Sequence, residues 1–90
     1  MTMLRLYSRP GCCLCEGLEE KLRGLAAAPD LEVVNVDEDP ALQARFGLEV
    51  PVLAWQSPQG EQVLPRVPPR LVDEALLVWL RRNGFPGRSA

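Results

Sequence analysis

Cysteines stand at positions 12, 13 and 15, inside the stretch "SRPGCCLCEG" (residues 8 to 17), and the rest of the chain has none. Thiols packed this closely can brace a fold, hold a metal or exchange electrons with another thiol. Bracing gains little, because a bridge across three residues closes too short a loop to restrict the unfolded chain much. A structural zinc site generally takes four Cys, His or carboxylate ligands, and the chain contains no histidine, so metal or iron-sulfur cluster carriage would need an external ligand or a shared dimer site. Thiol-disulfide exchange needs only two sulfurs. It is therefore the leading chemistry; metal or cluster binding and a redox-inactive interaction domain are the alternatives.

Which two sulfurs take part depends on the backbone beneath them. At the start of a helix, residues three apart share a face while residues one or two apart do not. Cys12 and Cys15 are then the matched pair, and their expected Cα separation of about 5 Å falls within the range a disulfide tolerates. Cys12 would sit at the positive helix end, which favours its thiolate and lowers its pKa below the free value of about 8.5. Arg9 would add to this effect and Glu16 would oppose it. Cys15, a turn further in and on the side of Leu18 and Leu22, should be more buried and less acidic. The asymmetry assigns Cys12 as the attacking sulfur and Cys15 as the resolving one. Cys13 should face solvent, either as a bystander or as the site of an intermolecular disulfide or a glutathione cap.

The flanking sequence supplies the elements this placement requires. "MLRLY" (3 to 7) alternates as a short strand does, and "SRPG" stops it. From Cys12 onward Leu14, Leu18, Leu22 and Leu25 recur at helical spacing, with Ala26 to Ala28 as a last turn before Pro29. "LEVVNV" (31 to 36) reads as a second, well-buried strand. Strand, helix, strand in so short a span is a βαβ unit with parallel pairing. In "DEDPALQARFG", Asp39 caps a helix, Pro40 takes its first position, Leu42 and Phe46 are its buried contacts, and Gly47 suits a left-handed exit. A third strand begins at Pro51, "SPQG" (57 to 60) turns the chain, and "EQVLP" forms the fourth strand. The last helix carries Pro69 in its first turn, buries Val72, Ala75, Leu76 and Trp79, and ends at Asn83 and Gly84. Trp55 is expected in the core. Tyr7 is expected to be a packed strand residue, with a role shaping the site as the alternative.

The whole is one βαβαββα domain over residues 1 to 90, with 47% hydrophobic and 24% charged residues, enough for a core. No apolar run approaches the roughly 20 residues of a membrane-spanning helix, and the N-terminus lacks the pattern of a secretory leader. The expected location is cytoplasmic. A net charge of −2 gives no electrostatic case for nucleic acid, despite Arg81, Arg82 and Arg88.

"LYSRPGCCLCE", "LEVVNVDEDPALQARFG" and "VPVL" together resemble the glutaredoxin-like branch of the thioredoxin-fold superfamily, over roughly residues 3 to 82. The resemblance implies a three-layer α/β domain with a mixed four-stranded sheet and a disulfide oxidoreductase activity in cell redox homeostasis. It implies that Pro51 follows a cis peptide bond beside the dithiol and that Val50 offers its backbone to an extended substrate. Arg9 stands where the family has a lysine near the dithiol, completing a substrate-binding set of Arg9, Val50 and Pro51. No resident cofactor or metal is implied, only an external thiol reductant such as glutathione or a thioredoxin system. The partner would be a disulfide-bearing protein or small molecule, and the chain a monomer. Two departures stand out. Cys13 and Leu14 replace the usual Pro-Tyr, and the Gly-Gly and Asp motif that holds glutathione is missing from "LPRVPPRLVDE", where Arg66 or Arg70 could meet a carboxylate instead.

Overall fold

Leu4 and Leu6 point to one side of the first strand and Arg5 and Tyr7 to the other, as the two-residue period of a strand requires; both faces of that strand are covered. The computed structural model describes residues 3–25, 29–68 and 70–85. The elements follow as β1 (Met3–Ser8), α1 (Cys13–Arg23), β2 (Asp30–Asn35), a 3-10 turn (Val36–Glu38), α2 (Pro40–Phe46), β3 (Val52–Ser57), β4 (Gly60–Val63) and α3 (Asp73–Arg82). The sheet order is β2-β1-β3-β4. β1 runs parallel to β2 with Leu6 opposite Val33, and antiparallel to β3 with Leu6 opposite Leu53. β3 and β4 form a hairpin over Pro58 and Gln59, closed by Gly60 at φ +116°, where a side chain would be strained. This is the mixed, four-stranded α/β arrangement that the resemblance implied.

Two apolar clusters sandwich the sheet. Leu4, Leu6 and Leu53 pack with Leu18 and Leu22 of α1 and Leu76 and Leu80 of α3. On the opposite face Tyr7 and Ala54 pack with Val36 and with Phe46 of α2. α2 is only seven residues long, and ions occupy sheet positions beside this small cluster: Arg5 bridges Glu32 at 2.8 Å and Glu61 at 3.2 Å.

Several sequence expectations are corrected. β2 is an edge strand rather than a buried one, because only β1 pairs with it; Val33 is left 39% exposed. α1 ends at Arg23 with Gly24 as its cap, while Ala26 to Ala28 lie outside the described residues. Its buried stripe is Cys15, Leu18 and Leu22, and Leu14, one position off that stripe, is 61% exposed. Asp39 does cap α2, accepting the Ala41 N–H at 2.9 Å, with Pro40 in the first position. Gly47, however, leaves α2 at φ −54°, in the right-handed region. Its glycine provides clearance instead, since an added Cβ would lie 2.5 Å from the Gln43 carbonyl oxygen. α3 begins at Asp73, beyond Pro69, which lies outside the described residues. Its buried side chains are Leu76 and Leu80; Val72 and Ala75 are exposed and Trp79 is half-buried.

The end of α3 is as the sequence suggests. Gly84 takes φ +100°, the Phe85 N–H donates to the Leu80 carbonyl at 3.0 Å, and the Gly84 N–H donates to that of Arg81 at 3.2 Å. This is a Schellman closure, and it folds Phe85 under the sheet, where Trp55 meets it edge-on at 6.1 Å. Among the described residues, no helix is long and apolar enough to cross a membrane.

Leu6→Ala should lower the stability to urea by about 2–5 kcal/mol, the range for truncating a fully buried leucine. Leu14→Ala, which loses an exposed side chain, should stay within about 0.5 kcal/mol of the parent.

Candidate active site at the start of α1

β1 delivers the chain at Ser8 to a tight loop in which Gly11 takes φ +78° and the Cys12 N–H donates to the Arg9 carbonyl at 3.3 Å. Cys12 then stands at the N-cap of α1 in an extended conformation, and its Sγ accepts the Cys15 N–H at 3.2 Å. A sulfur thus fills the position usually held by a Ser, Asn or Asp oxygen. The first N–H groups of a helix have no partner within it, so the positive end of α1 is directed at this sulfur.

Cys12 and Cys15 are joined as a disulfide with their Cα atoms 5.2 Å apart, inside the usual window. Cys15 is 1% exposed and Cys12 half-buried. Cys13 is exposed and free. The graded exposure follows from helix geometry: consecutive residues turn by about 100°, so Cys15 falls on the core stripe and Cys13 on the solvent side.

The other sequence-derived residues are placed as follows. What meets Cys12 is the Arg9 carbonyl; the Arg9 guanidinium reaches across to the Gly47 carbonyl at 2.9 Å and to Asp37 at 3.0 Å. Arg9 thereby ties the loop before the dithiol to the turn after α2. The Val50–Pro51 peptide bond is cis. Val50 packs on the α2-side cluster, and its N–H donates to the Phe46 carbonyl at 3.0 Å. Tyr7 lies on that same face of the sheet, stacked on Phe46 with ring centroids 4.5 Å apart and its hydroxyl donating to Glu61. It is a packed strand residue on the side of the sheet away from α1.

Pro51 lines a cleft of about 170 Å³ together with Leu14 and Leu18 of α1 and with Val67 and Leu71 of the connection to α3. Cys13 lines its edge, and Lys21 and Arg66 supply charge. A second hollow shares Pro51 and Arg66 and is lined also by Phe46, Glu49, Val52 and Val63. Apart from Arg66 and Pro51, sequence reading did not assign these wall residues to the site. Leu14 could have been suspected from its one-residue offset on the helix, whereas Val67 and Leu71 lie in a proline-rich connection without periodicity. Among the described residues, no three His, Cys, Asp or Glu side chains are grouped to hold a metal ion.

Comparison with known proteins gives a consistent picture. A family model described as a glutaredoxin-like domain (DUF836) matches residues 3–81. The crystal structure of a structural-genomics target protein from X. campestris is 39% identical, with a TM-score of 0.60 over 88% of this chain and 96% of that one. The structure of a malarial protein matches over 93% of this chain and 98% of its own at a TM-score of 0.57 and 12% identity, a likeness of fold alone. No curated protein matches the chain.

Iodoacetamide should modify only Cys13 in the oxidised protein and, after reduction, Cys12 ahead of the buried Cys15, as read by peptide mass. Burial, and next the hydrogen bond to Glu61, raise the Tyr7 pKa, with Arg5 opposing. Tyr7 is the chain's single tyrosine, so its ultraviolet titration should lie above the ordinary value of about 10. The folded state then holds this proton more tightly than the unfolded one, so the contribution is complete below about pH 10 and is lost as pH rises through the folded value. Tyr7→Phe should remove that loss.

Proposed function

Since the chain belongs to the family of glutaredoxin-like domains, we propose that it is a thiol-disulfide oxidoreductase acting through Cys12 and Cys15. The observation that carries this reading is Cys12 Sγ at the N-cap of α1, accepting the Cys15 N–H and bonded to the buried Cys15 sulfur behind it. In the reduced protein the same N–H group and helix end would favour the thiolate of Cys12 over its thiol.

The exchange proceeds in two displacements. The Cys12 thiolate attacks one sulfur of a substrate disulfide; a mixed disulfide forms, the substrate S–S bond breaks, and the first substrate sulfur leaves as a thiolate that takes a proton. Cys15 then gives up its proton and attacks Cys12 Sγ. The Cys12–Cys15 bond forms and the second substrate sulfur is released as a thiolate. Two electrons have moved from the protein dithiol to the substrate disulfide. Two equivalents of an external thiol, such as glutathione, or a thioredoxin system, reverse the change in the protein, so no resident cofactor is required.

Pro51 lines a cleft together with Cys13 and Leu14 at the start of α1, which supports Pro51 and its neighbour Val50 as substrate-binding residues. The amide of Val50 is already committed to Phe46, so pairing with an extended substrate falls to its carbonyl. Arg9 contributes by holding the loop that positions Cys12. The chain acts as a monomer over its whole length in the cytoplasm, on disulfide-bearing proteins or small molecules.

In an insulin or small-disulfide reduction assay Cys12→Ser should fall to the uncatalysed rate. Cys15→Ser should accumulate a mixed disulfide on Cys12 visible as an added mass, and Cys13→Ser should stay active. A Cys12→Ser protein as active as the parent would overturn the assignment.

A further inference from the structure

We propose that the cleft beside the dithiol selects protein segments in which apolar residues and an acidic side chain flank the disulfide, and that it disfavours glutathione. This deepens the exchange reading and rests on it for the chemistry, but the binding preference itself can be tested without any exchange.

The lining is largely apolar. Leu14 is 61% exposed although it belongs to an otherwise amphipathic helix, and it lines the cleft together with Leu18, Pro51, Val67 and Leu71. An apolar side chain entering between them removes surface from water on both partners. The charge is equally one-sided. The charged lining residues are Lys21 and the exposed Arg66, and no carboxylate lines the cleft among the described residues. The exposed guanidinium of Arg66 favours an anionic group at the rim. The neighbouring hollow that shares Pro51 and Arg66 is of another character, with Glu49 in its lining.

Glutathione fits this lining poorly. Its carboxylates could meet Arg66, but its protonated amine would find no carboxylate in the lining. The apolar walls would strip water from that amine without replacing the hydrogen bonds.

In the oxidised protein Cys13 is the remaining free thiol and lines the cleft, so its rate of alkylation by iodoacetamide reports occupancy without catalysis. Three thiol-free probes serve: the capped peptide Ala-Leu-Glu-Leu-Ala, its counterpart with Lys in place of Glu, and S-methylglutathione. The acidic peptide should slow alkylation saturably, at a concentration about threefold lower than the basic peptide needs, the scale of one exposed ion pair. S-methylglutathione should leave the rate unchanged. Arg66→Glu should invert the order of the two peptides, and Leu14→Ser should weaken protection by both. Both side chains are exposed, and circular dichroism checks that each variant is folded. Failure of the acidic peptide to protect, equal protection by all three probes, or an unchanged order in Arg66→Glu would overturn the inference. Protection as expected in a protein that reduces no disulfide would leave the cleft preference standing and sink the exchange reading instead.

Discussion

The opening N–H groups of an α-helix must find acceptors outside it, and here one of them finds a sulfur. Cys12 Sγ accepts from the Cys15 amide, which fixes the extended backbone at residue 12 and the direction in which α1 leaves the sheet. A sulfur at this position does the structural task of a capping oxygen. In its ionised form it would be a stronger acceptor than when protonated, so capping and thiolate stabilisation arise from the same contact. The Gly11 turn, the Arg9 carbonyl and the burial of Cys15 are all arranged around that point.

Holding the point in place is a matter of the two faces of β1. Leu4 and Leu6 bind it to α1 and α3, and Tyr7 binds it to α2 through Phe46. The central strand is thus fixed from both sides immediately before the loop that carries the dithiol. Arg9 adds a lateral tie to Asp37 and Gly47, linking that loop to the segment leading into Pro51. Because this pair is half-exposed, its contribution is one of geometry more than of energy. The loop before α1 and the turn after α2 are joined through it.

The surface next to the sulfurs is shaped by the places where regular packing stops. Leu14 lies just off the buried stripe of α1, and the connection from β4 to α3 has no strand or helix among its described residues. A cleft with apolar walls and a cationic rim results.

Much of this was readable from local sequence. Cysteine spacing sorted the sulfurs, because helix geometry depends only on position along the chain, and Asp39-Pro40, Ser57 to Gly60 and Asn83-Gly84 marked boundaries through their own backbone preferences. Other features depend on what packs against what. "LEVVNV" has the composition of a buried strand and became an edge because no further strand pairs with it. Gly47 carries no left-handed turn but leaves room for a carbonyl. Arg9 turned from the dithiol toward Asp37 and Gly47, which only the folded chain brings near. The sequence by itself determined the order of elements and the pairing of Cys12 with Cys15, since capping, turn formation and helical periodicity act over a few residues. Tertiary structure alone decided which strand was the edge, where the guanidinium of Arg9 went and which side chains wall the cleft, since those depend on contacts between residues far apart in the chain.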